Sequence, residues 1–165
     1  MTTATGPASS AVRVREPADA IELERYYELR WRLLRAPWDQ PRGSERDGRE
    51  DGAFHLMACT PADEAVAVGR LHFNDASQAQ VRYMAVEPHF RGQGIGALLL
   101  RELEAQARRK GAGQVVLDAR ETAVGFYERC GYRATRPAHT LFGSIRHWHM
   151  EKPLSGAPAD DPVRS

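Results

Sequence analysis

Apolar positions change their spacing several times along the chain, and the changes mark out alternating strands and helices. Val12 to Arg15 fits a short first strand. From Pro17 to Arg35, residues Ile21, Leu23, Tyr26, Tyr27, Leu29, Trp31, Leu33 and Leu34 recur at helical spacing, with Asp19 placed to cap or begin the helix. Residues 36–52 carry Pro37, Pro41, Gly43, Gly48 and Gly52 among many charges and read as a loop. A loop of that length in a compact domain is often functional or mobile, which makes it a candidate substrate flap, with Trp38 placed to cover a hydrophobic edge or to touch a substrate. Phe54 to Cys59 and Ala65 to Phe73 are apolar runs around a polar turn, the pattern of an antiparallel hairpin. Gln80 to Val86 is the next strand, and alternation puts Val81, Tyr83 and Ala85 on one face and Arg82, Met84 and Val86 on the other.

The strongest helix follows. Ile95, Leu98, Leu99 and Leu103 share one face, Arg101, Glu104 and Arg108 lie mainly on the other side, and Gly111 supplies a left-handed stop. Val115 to Ala119 reads as a short strand and Thr122 to Cys130 as a helix. A last hairpin through Tyr132 to Arg136 and Ile145 to Lys152 completes a mixed sheet. With no internal repeat, the expectation is one domain over 12–154. The tails, 1–11 and 155–165, are too poor in apolar surface to offset the entropy of ordering.

Composition supports a folded core and narrows the function. The 165 residues are 42% apolar and 27% charged, and the net charge of +1 gives no general attraction to nucleic acid. Cys59 and Cys130 are the only cysteines and form no CxxC pair, while His72 and His89 have no regular spacing with an acidic partner, so no metal site is expected. No segment approaches the roughly 20 apolar residues that cross a membrane, and the first residues lack a secretory signal, which points to the cytoplasm.

Candidate chemistry gathers at Glu87-Pro88-His89-Phe90-Arg91-Gly92-Gln93-Gly94-Ile95-Gly96. A helix that begins there leaves backbone N–H groups without partners, and its glycines let a bulky anion approach them. Phosphate or pyrophosphate is the natural ligand, with Arg91 adding charge. The run lacks the full GxGxxG spacing and contains no GxxxxGK[ST] loop, so the glycines alone name no cofactor and also fit a purely structural turn.

The wider pattern closely resembles the GCN5-related N-acetyltransferase superfamily. RYMAVEPHFRGQGIGALLLRELEAQARRKG, residues 82–111, is similar to its cofactor-binding core, including the RGQGIG form of the Q/RxxGxG/A motif. LDARETAVGFYERCGY, residues 117–132, is similar to its second characteristic region. The resemblance implies the acyl-CoA N-acyltransferase fold, an α+β architecture with a mixed, mostly antiparallel central sheet flanked by helices. It implies that Arg91, Gly92, Gln93, Gly94, Ile95 and Gly96 receive the pyrophosphate of acetyl-CoA, and that backbone groups at Ala85 and Val86 orient the pantetheine arm. Tyr127 matches the tyrosine that assists the departing thiolate. For the base, Glu87 follows the central strand, and His147 lies in an HWHM segment similar to an HxxM strand of related enzymes. His149 shares its face, and either histidine could instead shape the acceptor pocket. Asp118 and Glu121 depart from an Asn often found in this neighbourhood.

Direct acetyl transfer to a small-molecule primary amine is the reading these features favour. A peptide acceptor, with N-terminal or lysine acetylation, and a non-catalytic acyl-CoA-binding regulator are the alternatives. A homodimer stays open, as does preference for longer acyl groups.

Overall fold

Helix α1, Ala20–Leu34, starts where Asp19 adopts an extended conformation and its side chain takes the Glu22 N–H at 2.9 Å, the cap anticipated from the residue type. This computed structural model describes residues 12–154, so both expected tails lie outside it. Seven strands complete the inventory of the sheet: β1 Arg13–Arg15, β2 Phe54–Cys59, β3 Ala65–Phe73, β4 Gln78–Val86, β5 Gln114–Arg120, β6 Arg133–Leu141 and β7 Ile145–Pro153. Two further helices are α2, Ile95–Arg109, and the short α3, Val124–Arg129.

The sheet order is β1-β2-β3-β4-β5-β7-β6. β1 runs antiparallel to β2, and β7 runs antiparallel to both β5 and β6. β2 and β3 are joined by a tight connection closed by Thr60 N–H to the Glu64 carbonyl at 2.9 Å, too short for anything but an antiparallel hairpin. The parallel pair is β4 with β5, in register from Gln78–Gln114 to Gln80–Val116. A mixed, mostly antiparallel sheet with helices is therefore what the chain builds.

By internal contacts the chain falls into two units. One takes the described residues up to Arg70 together with Tyr83–Leu103, and the other Leu71–Arg82 with the described residues from Glu104 onward. In the first unit, Tyr26, Tyr27, Leu29, Met57, Cys59 and Val68 form a core on which Leu23, Leu33, Ala65 and Ala85 pack. Gly69 of β3 is there for closeness: a Cβ would stand 3.0 Å from Leu103 Cδ1 and 3.3 Å from Leu99 Cδ2 on α2.

Three local expectations need correction. Glu104 is not on the polar side of α2; it lies on the buried stripe with Leu100, Leu103 and Ala107 at 2% exposure, because it has partners there. Strict alternation fails in β4, where Tyr83 has φ of +58° and breaks the pleat. The strand expected to stop at Arg136 continues through Pro137 to Leu141; β6 is the outermost strand, where a missing N–H is tolerated, and its ladder with β7 shifts register beside Pro137.

Candidate active site

The turn between β4 and α2 has the backbone an anion cradle needs. Gly92 and Gly94 have φ of +77° and +82°, conformations costly for a residue with a Cβ. A Cβ at Gly92 would meet nothing within 4 Å, so the turn's surface is open, and Arg91, Gly92 and Gly94 are exposed. The Leu98 N–H donates to the Gly94 carbonyl at 3.0 Å as the helix begins. Ile95, Gly96 and Ala97 precede that bond, and their N–H groups have no acceptor within the helix. Gln93 donates through Nε2 to the His89 carbonyl at 3.3 Å, and its Oε1 is buried with no hydrogen-bond partner. Arg91 folds back through Nε onto the Val86 carbonyl at 3.0 Å, which ties the turn to the end of β4. Diphosphate geometry fits this set of glycines, helix-start donors and one guanidinium.

Glu87, a candidate base, is held by an ion pair to Arg32 of α1 and its N–H donates to the Val66 carbonyl at 2.8 Å.

In the second unit Tyr127 is buried at 8% exposure, its ring edge-on to Phe126 and Tyr132 with centroids 5.0 and 5.8 Å away. Burial raises its phenol well above the ordinary tyrosine value, with the nearby Cys130 adding to the effect and Arg120 opposing it. That favours the neutral phenol, which can donate a hydrogen bond. The ring beneath it is fixed: Tyr132 donates to Glu104 Oε2 at 2.7 Å, and Lys152 Nζ reaches Glu104 Oε1 and the Cys130 carbonyl, both at 2.9 Å.

The two histidines of β7 differ in kind. His147 Nδ1 lies 2.9 Å from the Ile145 carbonyl, so this nitrogen carries the proton and Nε2 keeps its lone pair. Burial first, then the charges of His139 and Arg120, lower its pKa from the ordinary histidine value; the Ile145 hydrogen bond and Asp118 pull the other way. The His139 ring stacks on it at 4.4 Å. His149 instead faces carboxylates on both sides, Asp118 at 2.9 Å from Nδ1 and Glu151 at 3.5 Å from Nε2. Cross-strand register explains the grouping, since Asp118 opposes His149 and Arg120 opposes His147. Among the described residues no group of three or more His, Cys, Asp or Glu side chains is arranged to hold a metal, and both cysteines are free thiols.

One network near the first unit's site was not anticipated. Arg30 and Arg70 are fully buried and share Glu50 Oε2 at 2.9 Å each, while Arg70 also takes Asp47 at 2.6 Å. Arg30 further donates to the Glu45 carbonyl at 2.9 Å and the Tyr26 hydroxyl at 2.8 Å. The segment expected to be a flap is thus fastened by its second half. Arginine inside the apolar stripe of α1, and again inside the apolar run AVAVGRLHF of β3, was the available signal, since a buried guanidinium demands partners.

Known proteins resemble this chain in sequence and in fold. The sequence profile of the acetyltransferase (GNAT) family matches residues 23–132. YjcF of Bacillus subtilis (strain 168), an uncharacterized N-acetyltransferase, is 30% identical over 112 residues, covering 68% of this chain and 79% of that protein. Escherichia coli ElaA superposes with a TM-score of 0.71 at 17% identity, covering 86% of this chain and 97% of its own. A GNAT family acetyltransferase from Elizabethkingia anophelis with acetyl-CoA bound superposes with a TM-score of 0.68 at 16% identity, covering 87% of this chain and 99% of its own. Within the described residues no helix is long and apolar enough to cross a membrane.

Proposed function

The chain belongs to the acetyltransferase (GNAT) family and is an acetyl-CoA-dependent N-acetyltransferase, and from that premise we propose that its acceptor is the primary amine of a small molecule. The observation that carries the cofactor half of this reading is the Gly92–Gly94 turn, left-handed at both glycines and opening onto the first N–H groups of α2. Arg91, Gly92, Gln93, Gly94, Ile95 and Gly96 hold the diphosphate, and the backbone at Ala85 and Val86 aligns the arm that carries the thioester.

Acetyl-CoA supplies an acyl group already activated as a thioester. The chain must then hold the acceptor nitrogen as a neutral amine, collect its proton and assist the leaving sulfur. His147 collects the proton at Nε2; its Nδ1 is committed to the Ile145 carbonyl and burial keeps the ring neutral. Tyr127 donates its hydroxyl hydrogen bond to the sulfur as the carbon–sulfur bond breaks, and its raised pKa favours sharing the proton over surrendering it. Glu87, tied to Arg32, orders the entrance and remains the alternative base through a water. Asp118 of β5 with His149 and Glu151 of β7 present closely spaced polar groups across two paired strands, which suits a compact polar amine better than an extended peptide. The reaction belongs in the cytoplasm, where free thiols such as Cys59 and Cys130 persist.

The test is release of CoA from acetyl-CoA across a panel of small amines and of peptides with free N-termini or lysines. Product with small amines and none with peptides is expected; peptide product alone would reverse the acceptor assignment. Tyr127→Phe should lower kcat by about 10- to 100-fold with acetyl-CoA affinity retained, and a native kcat would remove Tyr127 from the chemistry.

A further inference from the structure

Tyr83 is a bulky residue in the left-handed region in the middle of a strand, two residues before the backbone that the proposed function assigns to the acyl-CoA arm. A side chain with a Cβ resists that conformation, and it persists only where its surroundings over-determine it. The surroundings here are specific. The Arg30 guanidinium carbon lies 4.3 Å from the Tyr83 ring centroid, that of Arg70 5.0 Å and that of Arg35 5.6 Å, so three cations converge on one ring buried at 8% exposure. Two of these cations have further partners of their own. Arg30 is also enclosed by the Tyr26 and Tyr27 rings at 4.9 and 5.0 Å, and Glu50 bridges Arg30 and Arg70. Glu50 is anchored in turn, accepting the Asp47 N–H at 3.0 Å.

β4 has different partners on the two sides of this residue. Its pairing with β5 is in register at Gln78–Gln80, ahead of Tyr83, while beyond it Val86 turns its carbonyl to Arg91 and Glu87 gives its N–H to Val66. We propose that Arg30, Arg70 and Glu50 form a clamp that holds Tyr83 left-handed and so aims the Ala85–Val86 backbone at the acyl-CoA arm. These are positioning residues for the cofactor. The second half of the 36–52 segment then serves as the foundation of that clamp, in place of the flap its length implied. The inference rests on the acyl-CoA reading of Ala85 and Val86.

The test separates backbone conformation from loss of the ring. Tyr83→Gly and Tyr83→Val both delete the aromatic contacts, but glycine adopts positive φ freely and valine does not. Calorimetric affinities are measured for acetyl-CoA and for the 3′-phosphorylated adenosine diphosphate, which keeps the diphosphate and lacks the pantetheine arm. Tyr83→Gly should bind acetyl-CoA within about threefold of the native chain and Tyr83→Val at least about tenfold more weakly, with the nucleotide bound by both within about twofold. Glu50→Gln, which keeps the shape of the bridging side chain, should weaken acetyl-CoA by about fivefold and leave the nucleotide unchanged; it stands in if the valine variant does not fold. Equal acetyl-CoA affinity in the glycine and valine variants, or parallel loss of both ligands, overturns the clamp. A native chain that binds neither ligand overturns the cofactor reading beneath it.

Discussion

Tyr132 donates its hydroxyl hydrogen to Glu104 at 2.7 Å, joining residues 28 positions apart and giving a partner to a carboxylate that sits on the apolar stripe of α2. The bond satisfies one oxygen, and Lys152 satisfies the other. Tyr132→Phe should therefore cost about 1–3 kcal/mol in urea unfolding, the penalty for a buried acceptor left unmatched. Glu104→Ala should cost a similar amount, about 1–3 kcal/mol, since the buried phenol of Tyr132 loses its acceptor while Lys152 keeps the Cys130 carbonyl.

Gly94→Val places a β-branched residue at φ of +82°, where glycine alone is comfortable. Acetyl-CoA affinity by calorimetry should fall at least about tenfold, because the N–H groups of the turn no longer converge. A folded variant that binds as the native chain does would remove the backbone cradle.

Both His147 and His55 bind a proton less readily in the folded chain than as free side chains, chiefly through burial. Below about pH 6.5 the unfolded chain takes up protons that the folded one resists, so stability should decline as pH falls from that value toward the lower folded pKa values. Because His147 stays neutral to the acid side of about pH 6.5, turnover should persist there, with its acid limb set by this ring. His147→Gln should lower kcat and abolish that limb in a pH profile; an unchanged limb would move the base elsewhere.

Asp19→Ala removes the side-chain acceptor for the Glu22 N–H at the start of α1. A loss of about 1 kcal/mol in chemical denaturation is expected.

Most of the element plan could be read from hydrophobic spacing, because β2, β3 and α2 carry regular apolar patterns and Asp19 caps as its type suggests. The glycine turn was legible for the same local reason: positive φ at Gly92 and Gly94 is a backbone demand visible in residue type. What escaped depends on distant partners. Nothing next to Glu104 in sequence announces Tyr132 and Lys152, and nothing next to Tyr83 announces that guanidiniums from α1 and β3 will converge on its ring. The division between His147 and His149 was hidden too, since it turns on cross-strand register with Asp118 and on a carbonyl two residues back. β6 outruns its expected end at Arg136, since Pro137 is tolerated in an outermost strand.

The broken ladder of β6 has a consequence for life at high concentration. A regular border row of amide donors is a template onto which a foreign extended segment can zip. Here the missing amide of Pro137 and the slipped register on either side of it interrupt the row, so an intruding segment finds only short stretches to match. The border discourages recruitment into fibrils without needing a cover, and repairing it, by Pro137→Val, should make the protein more prone to self-templated precipitation.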